Sequence, residues 1–256
     1  MRRILSLLLL LASPMALAET VAQPEVATRL INLPTHLGPG PSTLEVTFTH
    51  RFLQTVSDAG GADLFGLDSA ANVGIGLGLG LGHGLSAEVY RSSFFKEWEG
   101  SVKWTAARQS GAFPLGIAVR AGGDYRGAAR LHDRWSGFVQ AVLTRRVGTH
   151  LDFFVVPMFA TDTPTLTNAA NLGVGASLHL VRGWDLSAEA IPGNRDGPHA
   201  ELAWSAAVTK RVPGHAFLIY LGNSPATTVD LLVGSDYPAG FKSGDIRLGF
   251  NLIRRF

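Results

Sequence analysis

Alternation at period two is the feature that most narrows what this chain can fold into. Asn72 to Gly82 reads NVGIGLGLGLG, with Val73, Ile75, Leu77, Leu79 and Leu81 on one face and glycine on the other. Gly244 to Phe256 (GDIRLGFNLIRRF) does the same: Ile246, Leu248, Phe250 and Leu252 alternate with Asp245, Arg247, Gly249 and Asn251. Successive side chains of a strand point to opposite faces, so each stretch reads as a strand with one greasy face and one polar or bare face. The glycines of the first stretch are not a nucleotide loop, because they recur at period two and no helix follows. A bare strand face instead invites close packing by a loop or by the segment that precedes the strands.

The pattern runs the length of the chain. Strands are expected at Thr43–Phe52, Asn72–Gly82, Leu85–Ser93 and Trp98–Arg108, then near Leu115–Gly122, Trp135–Arg145, His150–Ala160 and Asn171–Val181. Trp184–Ile191, Ala200–Arg211, His215–Gly222 and the terminal strand bring the number to about twelve. Short connections near His83, Ser110, Gly148, Gly183 and Pro213 alternate with longer ones near Gly60, Phe95, Ala128, Thr165, Asp196 and Val233, Phe95 being the weakest case. Outer-membrane barrels have an even strand number, short periplasmic turns, longer extracellular loops and interfacial girdles of aromatics. A soluble sandwich gives no reason for the loop asymmetry. Trp98, Trp135, Phe159 and Trp184 fall near strand ends, as girdles require. The sequence thus predicts an all-β fold, a closed antiparallel transmembrane barrel of about 12 strands over residues 43–256.

Composition supports the location. Met1 to Ala18 has the form of a signal peptide: Arg2 and Arg3, an apolar run from Ile4, and Ala16-Leu17-Ala18 before Glu19. The apolar run is too short for a membrane anchor, which needs roughly 20 residues. Cleavage after Ala18 would send the chain to the cell outer membrane. It would also remove two of the 22 basic residues and leave 20 against 20 acidic, so no nucleic-acid partner is implied. The absence of cysteine excludes disulfides, thiolate metal sites, c-type haem attachment and a lipoprotein anchor. Without a later stretch of ~18 uninterrupted apolar residues, the chain can enter lipid only as a barrel. Residues 19–42, rich in Pro and Gly, read as an irregular lead-in, periplasmic or tucked into the barrel as a plug.

Two resemblances sharpen this. Bacterial outer-membrane barrels commonly end on an aromatic residue, as this chain does at Phe256, which implies a terminal strand read by the barrel-assembly machinery. Arg254 departs from that pattern, where an apolar residue is usual. FTHRF at Phe48–Phe52, LFGLDSAANVGIGL at Leu64–Leu77 and YRSSFFKEWEGSVKW at Tyr90–Trp104 together resemble an uncharacterised bacterial β-barrel family, domain of unknown function 5777. The likeness lies mainly between about residues 30 and 110, and Tyr-Arg-Ser-Ser stands where the family has Gly-Arg-Ser-Ser. The resemblance implies a barrel and no assigned activity.

Barrel topology places His50, Arg51, Asp68, Asn72, Arg91 and Ser92 near the outer rim, as a candidate polar site for an anionic or sugar-like ligand. The same residues also fit a network that only orders the first long loop. Arg126, Arg130, His132 and Arg134, with Asp124 and Asp133, form a second basic cluster, either a contact for lipopolysaccharide phosphates or a solvated loop. Inward positions are expected to include Glu45, Glu88, Glu99, Lys103, Arg120, Asp152, Glu189, Glu201 and Arg247, with both signs present. Ser177, His179, Glu189 and Glu201 are the residues from which a Ser-His-acid hydrolase would be built. No metal or cofactor motif occurs among the eight histidines. The primary expectation is a narrow or plugged barrel, not an enzyme, for passage or binding of small solutes, with lipid and lipopolysaccharide as surroundings. A structural or surface-interacting barrel and a membrane-embedded hydrolase are the alternatives.

Overall fold

The computed structural model describes residues 28–128, 134–194, 201–234 and 242–256. The expected signal peptide lies outside the described residues. Twelve strands form a closed antiparallel barrel in which each pairs with its neighbour in sequence and β1 pairs with β12. They are β1 (Leu44–Phe52), β2 (Ala71–Gly82), β3 (Leu85–Ser92), β4 (Glu97–Ala107), β5 (Gly116–Arg126) and β6 (Trp135–Val147). The circle continues with β7 (Leu151–Thr161), β8 (Asn168–His179), β9 (Trp184–Ile191), β10 (Ala203–Val212), β11 (His215–Gly222) and β12 (Arg247–Arg255). Two short helices sit in long connections, α1 (Val56–Ala59) and α2 (Val229–Gly234). No helix among the described residues is long and apolar enough to cross a membrane.

Closure removes the free edges that an open sheet would expose to lipid. The seam is completed by the last residue: the Leu44 carbonyl accepts from the Phe256 amide at 2.9 Å, and the Leu44 amide donates back at 3.3 Å. Along β1, Glu45, Thr47, Thr49 and Arg51 are buried inward, while Leu44, Val46, Phe48, His50 and Phe52 face out. Outward residues such as Ile75, Leu77, Val89, Val102 and Ile219 would be misplaced in water, being about half exposed or more. In a bilayer they form the apolar band. Aromatics ring both ends: Trp98, Trp135 and Phe159 near the long loops, Trp104, Trp184 and Phe217 near the short turns, each at least 40% exposed. Arg254 stays on this outer face near the short-turn end, its guanidinium 4.5 Å from the Phe256 ring centroid. A cation at the interface can sit over an aromatic face there without entering the hydrocarbon.

The lumen is filled by the chain itself. Residues 28–37 touch opposite walls: Asn32 bonds Glu189 of β9, the Ile31 carbonyl accepts from Asn251 of β12, and the Thr35 and Leu37 carbonyls accept from Lys103 of β4. Only a segment inside the barrel can reach all three. The bare face of β2 receives it, since a Cβ at Gly80 would overlap the Gly40 carbonyl. Gly74 on the same face is covered by Tyr90, whose hydroxyl bonds Thr49 at 2.6 Å. From the other end, the connection between β11 and β12 folds inward, and all of α2 is buried. Leu33 of the lead-in and Val229, Leu231 and Val233 of α2 join Val142, Val156 and Met158 of the wall in one apolar cluster.

Candidate functional site

Among the described residues, polar chemistry is enclosed in the lumen, and its charged residues fall in three levels. The order of levels follows from strand direction. β1 leaves the short-turn end, so odd strands finish, and even strands begin, at the long-loop end. In an outer-membrane barrel that end faces outward.

At the short-turn mouth, Asp152, His179 and Asp185 meet on β7, β8 and β9. His179 Nε2 lies 2.9 Å from Asp152 and Nδ1 lies 2.7 Å from Asp185. Arg146 bonds Asp152 through two nitrogens at 2.6 Å each, and Arg211 bonds Asp185 at 2.6 Å. Asp152, His179, Asp185 and Arg211 line a cavity with Ser177, Ser187, Thr209, Leu30 and Asn251. Both ring nitrogens of His179 are taken by carboxylates, and Ser177 Oγ pairs with Ser187 Oγ at 3.0 Å. The alternative Ser-His-acid arrangement is therefore not assembled here: no ring nitrogen of His179 is left to take a proton from a serine. Glu201 is also not inward. It precedes β10, away from the lumen, and accepts from the Ser243 amide at 3.2 Å.

The middle level holds the lead-in. Glu189 accepts from the Asn32 and Leu33 amides at 3.0 Å each and from Asn32 Nδ2 at 2.7 Å. Arg29 donates to Glu88 at 2.7 Å, and Arg120 pairs with Glu99 and, at 3.5 Å, with Glu88. Glu45 accepts from Arg255 at 2.7 Å and from Thr28. Among the described residues Lys103 has no carboxylate partner, and it donates to carbonyls of the lead-in, 3.3 Å to Thr35 and 2.5 Å to Leu37. His36 is buried beside this ammonium with neither ring nitrogen bonded among the described residues. Burial first, then Lys103, pushes His36 down to about 4. Eight of the nine expected inward charges do face the lumen, Glu201 being the exception.

The outer level brings Glu97 at the start of β4, Asp124 near the end of β5 and Asp230 of α2 together, with carboxylate oxygens within 4.8 Å of one another. Arg126 bonds Asp230 at 2.5 Å, and Thr228 donates to Glu97 at 2.7 Å. Arg126 and Asp124 were expected in a surface cluster but are fully buried. Arg126 ends β5 in phase with the lumen face, which sends it inward to α2. Arg134 is exposed, and Arg130, His132 and Asp133 lie outside the described residues.

The six expected rim residues do not form one site. Asn72 and Ser92 face in and touch, Ser92 Oγ donating to Asn72 Oδ1 at 2.8 Å. Asn72 also donates to the Pro225 carbonyl at 2.9 Å, so it anchors the inward loop. Arg51 faces in but serves other partners: Asn251 at 2.7 Å, Asn32 at 3.2 Å and the Tyr220 ring 4.2 Å below its guanidinium. His50 and Arg91 fall on the outer face by strict alternation. The His50 ring stacks on Phe250 at 5.1 Å, and Arg91 sits 5.6 Å from the Trp98 ring. Asp68 is exposed in the first long loop.

The sequence leaves open which loop enters the barrel and does not single out the one between β11 and β12. Its signal is present as VDLLV at Val229–Val233, an apolar run in what would otherwise be a solvated surface loop.

Among solved structures the chain is similar to the NanC porin (TM-score 0.53, 9% identity, 82% of this chain and 98% of that one). It is likewise similar to the KdgM porin (TM-score 0.53, 9% identity, 83% and 99%). An outer membrane channel from Pseudomonas putida F1 gives a TM-score of 0.51 at 14% identity over 85% of this chain and 96% of that one. At such identities the likeness is one of fold. No curated protein matches the chain in sequence. The family described as membrane bound beta barrel domain matches residues 26–256. The chain therefore belongs to that family, domain of unknown function 5777, and is an outer-membrane β-barrel.

Proposed function

We propose that this barrel is a gated passage for small solutes, closed at rest by residues 28–37 from one end and by the loop carrying α2 from the other. The observation that carries this reading is how the lead-in is held. Glu189 and Lys103 grip its backbone amides and carbonyls, and Arg29 pairs with Glu88. Such bonds can be exchanged for water or for a polar solute at small net cost, about 1 kcal/mol each, which apolar packing cannot match. Once the lead-in moves, the exposed wall carries paired charges of both signs and a cavity at the short-turn mouth. The porin and channel folds among its structural relatives support the same reading.

Planar-bilayer recording tests it. The native protein should be mostly closed, with brief openings. Glu189→Ala, which removes the acceptor of three bonds to the lead-in, should raise open probability about tenfold or more with unit conductance unchanged. Silence of both proteins would favour a second reading, a sealed barrel without transport. That reading is favoured by one observation, the apolar cluster joining Leu33 and α2 to the wall.

A further inference from the structure

We propose that Glu97, Asp124 and Asp230 hold one divalent cation of the hard class, Ca2+ in preference to Mg2+, and that this ion pins α2 to the barrel wall. Three observations converge. The carboxylates come from β4, β5 and α2, are each fully buried, and present oxygens within 4.8 Å of one another. Among the described residues, neither oxygen of Asp124 has a hydrogen-bond partner, and Oε1 of Glu97 has none either. Among the described residues the local charge does not balance: three carboxylates meet one guanidinium, that of Arg126, while Arg120 is engaged by Glu99 and Glu88. A buried, unbonded carboxylate is costly unless a cation or a proton joins it. The uncompensated charge of two matches one divalent ion.

The donors are all oxygen, which selects Ca2+, Mg2+ or Mn2+ over softer metals. Oxygens on opposite sides of Ca2+ stand up to ~5 Å apart, whereas Mg2+ requires about 4.2 Å and near-ideal octahedral geometry. A site spread over two strands and a lumen helix suits the more permissive ion. Asp230 keeps its bonds to Arg126 and to the Leu231 amide (2.7 Å), so it is aimed into the site before any ion arrives. Because one ligand lies on α2 and two on the wall, binding the ion and seating the loop are one event. The site stands whether or not solute crosses the barrel.

The test uses the full chain refolded in detergent free of lipopolysaccharide and stripped with EDTA. Titration calorimetry with CaCl2 should give one ion per chain, bound at least tenfold more tightly than Mg2+, and Ca2+ should raise the unfolding midpoint above that in EDTA. Asp124→Asn should weaken Ca2+ at least tenfold while unfolding in EDTA no earlier than the native protein, since it removes an unpaired charge. Glu97→Gln provides the same test should Asp124→Asn fail to fold. Absence of binding heat, with equal midpoints in Ca2+ and EDTA, would overturn the proposal and assign the carboxylates shared protons instead. Native-like Ca2+ binding by both variants would overturn it equally.

Discussion

At the scale of single residues, what surrounds a side chain in the lumen decides its behaviour. His36 is neutral where it sits, because burial and the Lys103 ammonium hold its pKa near 4, below the 6.5 of a free imidazole. A depressed histidine stabilises the docked lead-in fully above pH 6.5, and that contribution is lost as pH falls through about 4. Protease accessibility of the lead-in should therefore rise between pH 6.5 and 4, and His36→Gln should flatten the rise. An unchanged profile in the variant would remove His36 from the account. The glycines of β2 make a sharper contrast. A Cβ at Gly80 runs into the Gly40 backbone, whereas at Gly78 the nearest atom is 3.8 Å away. Gly80→Ala should cost about 1–3 kcal/mol by overpacking. Gly78→Ala should be neutral or gain about 0.5 kcal/mol, both read from urea unfolding. The sequence announced that something would press on this bare face, and whether that was a loop or the lead-in became visible only in three dimensions.

At the scale of elements, the strands were legible because period two is a strong, local signal. The expected Trp184–Ile191 and His215–Gly222 coincide with β9 and β11, and most other bounds differ by three residues or fewer. The same alternation accounts for the division of the rim residues between the two faces. Adjacent residues in a strand face opposite ways, so His50 and Arg51, or Arg91 and Ser92, cannot both face the lumen. Inward loops were less legible, since their folding depends on a cavity built by distant strands. Ile219, 67% exposed in the middle of β11, offers the check on which face meets lipid. Ile219→Arg should destabilise the barrel in lipid by about 2–4 kcal/mol, as charge near the bilayer midplane does. A cost near zero would place that face in water.

At the scale of the whole molecule, the barrel is a closed wall whose interior is completed by its own lead-in and by the loop between β11 and β12. Folded and heated forms should migrate differently on a gel, because the closed sheet resists detergent until boiled, and identical migration would deny closure. The central claim is that the segment before the first strand lies inside that wall. A Cβ at Gly38 would stand 3.2 Å from the Ser86 Cβ, close to the ~3.8 Å typical of a disulfide. The chain has no cysteine of its own. The most direct measurement is disulfide formation in the doubly substituted Gly38→Cys, Ser86→Cys protein while folded. One bond per chain, with both thiols unreactive to maleimide and the folded gel form retained, is the expected result. Two free thiols that label readily in the folded barrel would contradict it, and would put the lead-in outside the lumen.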